Sequence, residues 1–511
     1  MNIGQWLKQV AQADPKRPAL FAGMRQIADY GQFDQRAAQV GAWLRQAGIQ
    51  PGDRIALYLK NQPDYLILLY GVWYAEAVAV PVNAKLHPRE AGWIMANAQV
   101  KMTFAGTELG ASLEAQGCEG LVIDLASQVF ADIFESTVSD GIAMRAPDDL
   151  ACLFYTSGTT GKPKGVRRAM MQVDPDMAAT MMTMLLMLFG IEPEADNVHF
   201  CGSPLYHTAV MNWSTSSLHY GHTVVLHDDW DAEKMLHAVE YYRITTAHVV
   251  PTQMVRLHKL PTEMRAAYKV SSMRHMLHTA APCPPDVKFD IIDWWGPCVY
   301  EYYASTEGGG TLVNSEDWLK NPGTVGRPWP TADIKIFDDQ GHEKPTGEQG
   351  TIYMLMSELS RFEYKGDKEK TEKDRFGDYF TAGDIGYLND QGFLFLCDRK
   401  IDMIISGGAN IYPAEIENIL ITHPSVADCS VFGIPNDEWG EEVKAAVQLI
   451  PAVQQSDPLH DDILAYCAER LAKMKLPRSI DYMEVLPRDP NGKLYKRKLR
   501  DPYWVGRDRQ V

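Results

Sequence analysis

Between Phe33 and Gln46 apolar residues recur at helical spacing, and Gly48 and Gly52 then lead into the strand-like run Arg54-Ile-Ala-Leu-Tyr-Leu59. Leu66–Trp73 predicts another helix and Ala77–Val82 another strand. Val100–Phe104, Gly120–Leu125, His222–Leu226 and Thr246–Val250 continue the theme. Such alternation predicts an α/β architecture whose largely parallel sheets are covered by helices. Val325–Phe337 and Gly350–Met356 read instead as antiparallel strands, with turns at 338–341 and 345–347. Beyond Asp398-Arg399-Lys400 the pattern becomes a compact series: helix Ala414–Thr422, strands Ala427–Ile434 and Glu442–Leu449, helix Asp461–Leu471 and strand Ser479–Val485. A domain boundary is therefore expected there, dividing a large unit over 1–398 from a small one over 399–511. Met170–Met187 reads as a core helix, or as a flexible apolar wall for a tunnel, since Met fills irregular space.

Composition narrows the class. A chain of 511 residues with 46% hydrophobic and 23% charged residues is a globular protein of two or more domains. Its net charge of −17 argues against a nucleic-acid-binding surface. The charge is uneven, because Leu471–Val511 carries eleven Lys/Arg against five Asp/Glu. That excess suits either a solvated tail or a seat for a phosphorylated ligand. Eight scattered cysteines without a Cys-x-x-Cys pair suit reduced thiols and a cytoplasmic location. Neither a signal peptide nor a membrane span is expected: the first residues lack an apolar core, and the longest apolar stretches, Met177–Ile191 and Tyr65–Val82, are short or interrupted by Glu76.

The chemistry is concentrated in five segments. Tyr155-Thr-Ser-Gly-Thr-Thr-Gly-Lys-Pro-Lys-Gly165 follows the apolar run Leu150–Phe154 and combines Ser/Thr hydroxyls, three glycines and two lysines. A strand breaking into such a loop can wrap a polyphosphate, with backbone N–H groups and hydroxyls donating to the anion. The spacing is not that of the nucleotide-kinase loop, since two residues rather than four separate Gly158 from Gly161, and Pro163 follows Lys162. Tyr300-Glu-Tyr-Tyr-Ala-Ser-Thr-Glu307, followed by three glycines, offers a ring to stack on a purine and carboxylates for an exocyclic amine or Mg²⁺. Phe380-Thr-Ala-Gly-Asp384 holds a carboxylate suited to a ribose diol. Asp398–Glu417 and the lysine-bearing Pro487-Arg-Asp-Pro-Asn-Gly-Lys493 complete the set.

Together, in this order, the five segments resemble the adenylate-forming family of acyl- and aryl-CoA synthetases, luciferases and peptide-synthetase adenylation domains, over almost the whole chain. The resemblance implies a multidomain α/β fold: a large N-terminal domain of stacked αβ layers with a β-barrel-like subdomain, and a small mobile α+β C-terminal domain. It implies ATP, Mg²⁺ and coenzyme A as cofactor and co-substrates. By similarity Thr156, Ser157, Gly158, Thr159, Thr160, Gly161 and Lys164 grip the β- and γ-phosphates. Tyr303 stacks on adenine, Glu301 takes its amine, and Ala281 and Pro282 form the other wall. Thr306 contacts the α-phosphate and Glu307 the Mg²⁺. Asp384 takes the ribose diol, Arg399 a second ribose or phosphate contact, and Lys493 bridges the substrate carboxylate and α-phosphate. For CoA the resemblance implies Gly407 and Gly408 as tunnel lining, Trp439 against the adenine, and Arg478 and Lys475 at the phosphates. Lys475 is equally well read as solvated charge. The hinge falls at Ile401 and Asp402. The acyl pocket takes His207, Ala280, Ala304 and Gly308, with His207 gating the carboxylate or serving structure alone. His275 and His278 read as structural, and no zinc site is expected.

Several positions depart from the family pattern. Ala304 stands where Gly is usual, Thr279-Ala280 where a Gly pair is common, Ile401 where the hinge usually carries Asp or Lys, and Met474 where an aromatic is common. Tyr206-His207-Thr208 offers no carboxylate for an amino-acid amine, and the chain ends soon after Lys493 without a carrier domain. The expectation is an AMP-forming ligase that activates an aromatic, branched, alicyclic or medium-chain acid and passes it to CoA. The alternatives are another acceptor, a carrier thiol or an amine, or a non-catalytic protein that holds an adenylate or CoA ester. No nucleic-acid partner is expected, and a homodimer is the default assembly.

Overall fold

A computed structural model describes residues 2–117, 120–135, 152–156, 164–167, 183–193, 196–305, 308–356, 363–364, 374–488 and 494–506. Its contacts divide the chain into two units. One comprises Met1–His248, Pro261–Met276 and Glu358–Lys373; the other comprises Val249–Leu260, Leu277–Ser357 and Asp374–Val511.

The first unit holds two parallel systems. Strands Val78–Pro81, Arg54–Tyr58, Val100–Ala105 and Leu121–Asp124 form a four-stranded parallel sheet in that order. In the second system Val198–Cys201 pairs in parallel with both Thr223–Leu226 and Thr246–Val249. Pro18–Ala22 joins in parallel at the far side of Thr223–Leu226, and Arg25–Asp29 closes that edge antiparallel. The helix Pro63–Tyr74 explains the long apolar run beginning at Tyr65: Tyr65 through Tyr74 are all buried, so it packs as an interior helix. Pro63 at its first turn costs no hydrogen bond, and Glu76 follows with φ +60. Helix Tyr30–Gln46 packs on it, entered through a capping box in which Asp29 accepts from Gln32 N and Gln32 Oε1 accepts from Asp29 N. Gly41 and Gly71 allow this approach, since a Cβ on Gly71 would come within 2.4 Å of Val40.

The second unit begins the antiparallel part. Val299–Ser305, Gly308–Val313, Thr324–Pro328, Leu394–Arg399, Asp384–Leu388 and Gly350–Leu355 pair in that order. The stretch expected as one strand over Val325–Phe337 is two, Thr324–Pro328 and Ile334–Phe337. Pro328 and Pro330 interrupt it, because proline cannot donate to a ladder. After Arg399 a separate five-stranded sheet runs Ala409–Ile411, Ile404–Ser406, Gly440–Leu449, Val426–Asn436, with Ser479–Tyr482 in parallel on Gly440–Leu449. The boundary expected at 398/399 thus falls where one sheet gives way to another, inside the second unit. The Met-rich stretch 170–182 lies outside the described residues. Among the described residues no helix is long and apolar enough to cross a membrane, and seven cysteines are free thiols.

Candidate functional site

Three strands of the antiparallel sheet bring three of the expected nucleotide residues together. Asp384 opens one strand and Arg399 ends its neighbour, and the two are direct partners in the register. Arg399 Nε lies 3.4 Å from Asp384 Oδ1. From the strand Val299–Ser305 the Tyr303 hydroxyl donates to Asp384 Oδ2 at 2.7 Å. The Asp384 carboxylate therefore has a cation on one oxygen and a phenol on the other. Burial pulls the Arg399 pKa down, but Asp384, Asp402, Tyr303 and Asp398 outweigh it and the guanidinium stays charged. A half-buried aromatic ring beside an acceptor-only carboxylate has the donor and acceptor chemistry to take a purine nucleoside.

Glu301, two residues earlier on the same strand, does not join them. Its carboxylate is held in the interior instead, the residue being 5% exposed. Its Oε2 meets Lys288 Nζ at 2.6 Å and lies 3.6 Å from His278 Nε2. Burial raises its pKa while Lys288 opposes the rise. The carboxylate expected at the adenine amine is thus engaged in an interior ion pair in this structure. Lys288 itself is 1% exposed, its ammonium also 4.6 Å from the Trp318 ring centroid. Nothing in the sequence singled it out, since it reads as one more polar position of helix Pro285–Trp295.

Ala281 is half-buried and Pro282 exposed, in the turn between strand His275–His278 and that helix. Ala280, just before them, has φ +80, a left-handed conformation that ordinarily goes to Gly. A methyl thus stands where the backbone favours none, at a position expected to border the acyl group. Cys283 in the same turn is no nucleophile, its thiol pushed up to about 12 by burial. Ala304 lies half-buried beside Tyr303. Beyond it Ser305 pairs with Gly308, and side chains on Gly309 and Gly310 would strike Met354 and Trp329 at 2.6 and 2.1 Å. Thr306 and Glu307 lie outside the described residues.

In the first unit, strand Phe154–Thr156 pairs antiparallel with Lys164–Arg167, Thr156 opposite Lys164. Ser157, Gly158, Thr159, Thr160 and Gly161 lie outside the described residues. His207 immediately precedes helix Thr208–His219, its ring centroid 4.2 Å from that of Tyr206.

The expected CoA residues gather in the C-terminal sheet. Gly407 N donates to Trp439 O at 2.8 Å, and a Cβ on Gly407 would come within 2.7 Å of the indole, so the ring lies across this glycine. Trp439 is 41% exposed, with the Arg478 guanidinium 5.8 Å from its ring centroid. Gly408, at φ +79, has open space where a Cβ would be. Lys475 is instead held by both oxygens of Glu415, each at 2.7 Å. Lys493 lies outside the described residues, but its flanks are described. At the position expected to be the hinge, Arg500 Nη1 donates to Ile401 O at 3.2 Å and lies 3.5 Å from Asp402 Oδ1. Arg500 and Lys496 were missed from the sequence, where they are two cations in a basic tail.

Comparison with known proteins extends the picture across the chain. A family described as AMP-binding enzyme matches residues 7–361, and one described as AMP-binding enzyme C-terminal domain matches 415–493. The long-chain-fatty-acid–CoA ligase FadD13 of Mycobacterium tuberculosis is 31% identical over 511 residues, covering 98% of each chain. A feruloyl-CoA synthase of Amycolatopsis is 31% identical over 503 residues with the same coverage. Among solved structures, o-succinylbenzoate CoA synthetase from Bacillus subtilis in complex with the acyl-adenylate OSB-AMP superposes with a TM-score of 0.82, at 26% identity and 99% coverage of both chains.

Proposed function

The chain belongs to the AMP-binding enzyme family, and from that premise we propose that it is an ATP-dependent acid–CoA ligase acting on a hydrophobic carboxylic acid. In the first half-reaction a carboxylate oxygen attacks the α-phosphorus of ATP; the new P–O bond forms as the bond to the β-phosphate oxygen breaks, and pyrophosphate leaves. In the second, the CoA thiolate attacks the acyl carbonyl and AMP departs. The nucleophile of the first step is already ionised, so no general base is needed and the protein's work is charge neutralisation and alignment.

The observation that carries this reading is the Tyr303–Asp384–Arg399 cluster in a chain similar end to end to CoA ligases. Tyr303 offers the ring for adenine, Asp384 accepts from the ribose hydroxyls and Arg399 lies against the Asp384 carboxylate. The loop over Thr156–Gly161 with Lys164 serves the terminal phosphates, Thr306 the α-phosphate, Glu307 a magnesium ion and Lys493 the reacting oxygens. Gly407, Gly408, Trp439 and Arg478 serve CoA; Lys475 is left out because Glu415 occupies it. We place the acid among aromatic, branched, alicyclic and medium-chain carboxylates. Similarity to both a fatty-acid ligase and a feruloyl-CoA synthase supports that span. The enzyme is read as a cytoplasmic homodimer.

The test is product analysis with a panel of such acids: pyrophosphate released with acid and ATP, then AMP released on adding CoA. Nucleotide binding without ATP cleavage by any acid would favour the reading as a binding protein. Replacing Asp384 by Ala is expected to raise the KM for ATP about tenfold, the worth of a charge-assisted hydrogen bond, with a much smaller change in kcat. Steady-state kinetics at saturating acid check this, and an unchanged KM for ATP would contradict the assigned contact.

A further inference from the structure

The residues that flank Lys493 in the sequence, up to Arg488 and from Leu494 on, are held by side chains that sequence reasoning passed over. Before it, Arg488 makes a two-pronged ion pair with Asp428, Nε to Oδ2 at 2.6 Å and Nη2 to Oδ1 at 2.8 Å. Arg488 and Leu494 form a β-bridge, and Tyr495 N donates to Pro487 O at 2.8 Å, so the two ends are drawn together. Leu486 and Leu499 pack with Phe432 and Ala446, seating both ends on the paired strands Val426–Asn436 and Gly440–Leu449. After Lys493 comes a short helix, Lys496–Arg500. Lys496 and Arg500 are four residues apart and share one face of it. Lys496 Nζ meets Glu417 Oε1 at 2.9 Å, and the same oxygen accepts from Val431 N at 2.7 Å.

Arg500 completes the chain of contacts. Its side chain is 7% exposed, and it grips the hinge through the Ile401 carbonyl and the Asp402 carboxylate. Nη2 and Nε turn to Asp501 at 3.2 and 3.3 Å. Just upstream, Asp398 Oδ2 accepts from Ala414 N at 2.9 Å, fixing that end of the hinge to helix Pro413–Leu420. With Ile at 401 the hinge has no charged side chain of its own at that position. A backbone carbonyl is what remains to be held, and a buried guanidinium holds it.

We propose that Arg500 is a positioning residue for the adenylation step, tying the hinge at Ile401–Asp402 to the helix that follows Lys493, so that the setting of one fixes the placement of the other. Lys496 is the second peg of the same strut. The inference rests on the ligase reading but carries consequences of its own. Loss of the grip frees the hinge backbone, whereas loss of Lys493 does not.

Two readouts test it, with R500Q, R500K and K493A compared with the parent protein. The first is trypsin cleavage after Arg399 or Lys400, which needs no substrate. R500Q is expected to speed it about tenfold, R500K to stay near the parent rate because an ammonium still donates to the carbonyl, and K493A to leave it unchanged. The second compares half-reactions with cinnamate and hexanoate as probe acids and their synthetic adenylates. R500Q is expected to lower kcat for ATP–pyrophosphate exchange about ten- to a hundredfold, the scale of a small misplacement, while CoA-dependent AMP release from the adenylate holds within about threefold. Unchanged cleavage and exchange in R500Q would overturn the proposal, as would an equal fall in both half-reactions together with a lowered Tm shared by R500K. Should K493A leave exchange intact, the role given to Lys493 fails; should the parent protein show no acid-dependent exchange, the ligase reading fails, and the cleavage comparison still decides the grip.

Discussion

Replacing Lys288 by Met, or Glu301 by Leu, is expected to cost about 3–5 kcal/mol of folding stability, among the largest effects any single substitution in this chain should have. The pair sits in the interior with Lys288 1% and Glu301 5% exposed, and Nζ and Oε2 are 2.6 Å apart. Removing either partner leaves the other as an uncompensated charge away from water. His278, 3.6 Å from the same oxygen, is a poor substitute for the lysine, since only its charged form would neutralise the carboxylate. The double variant Lys288→Met with Glu301→Leu should recover most of the loss, because two apolar side chains of similar volume carry no desolvation penalty. Urea unfolding at neutral pH checks this through the midpoint at constant slope. Single variants within about 1 kcal/mol of the parent would contradict a buried ion pair.

The second large effect is acid lability of the first unit. His199, His222 and His248 are 1%, 0% and 3% exposed, and burial lowers their pKa values to about 3, about 4 and about 4. Each is engaged as a neutral ring. His199 Nδ1 meets Thr246 Oγ1 at 3.0 Å, and His222 Nε2 donates to Glu192 O at 3.0 Å. Because the folded pKa lies below the unfolded value near 6.5, the unfolded chain binds the extra protons. The stabilisation is fully present above about pH 6.5 and is lost as pH falls towards 4, at about 1.4 kcal/mol per pH unit for each histidine. Unfolding midpoints at a series of pH values should fall steeply below about pH 6.5, and His222→Asn should flatten the slope by one histidine's share. A flat profile between about pH 7 and pH 5 would contradict the neutral, enclosed rings.

How much of this the sequence disclosed depends on what each feature needs. Parallel strands and covering helices were legible because buried strands such as Arg54–Tyr58 and helix Tyr30–Gln46 carry their own periodicity. The helix expected over Ala414–Thr422 is found at Pro413–Leu420. The break in Val325–Phe337 was readable from its prolines but not read. Tyr303, Asp384 and Arg399 were legible as a set only through the resemblance, since they lie about 80 and 15 residues apart and only the folded sheet unites them. Glu301 shows a partner that the sequence does not mark: a buried lysine thirteen residues earlier, on the preceding helix, holds its carboxylate. Arg500 and Lys496 were invisible because a basic tail looks the same whether its cations are solvated or seated against Asp402 and Glu417.

The central claim is that this chain makes an acyl-adenylate with Lys493 at the reacting phosphate. The most direct measurement is ATP–pyrophosphate exchange without CoA, in the parent protein and in Lys493→Ala. Exchange that requires a carboxylic acid and falls about a hundredfold or more in the variant, while CoA-dependent AMP release from preformed adenylate persists, is the predicted result. Exchange independent of acid, or unaffected by the loss of Lys493, would contradict it.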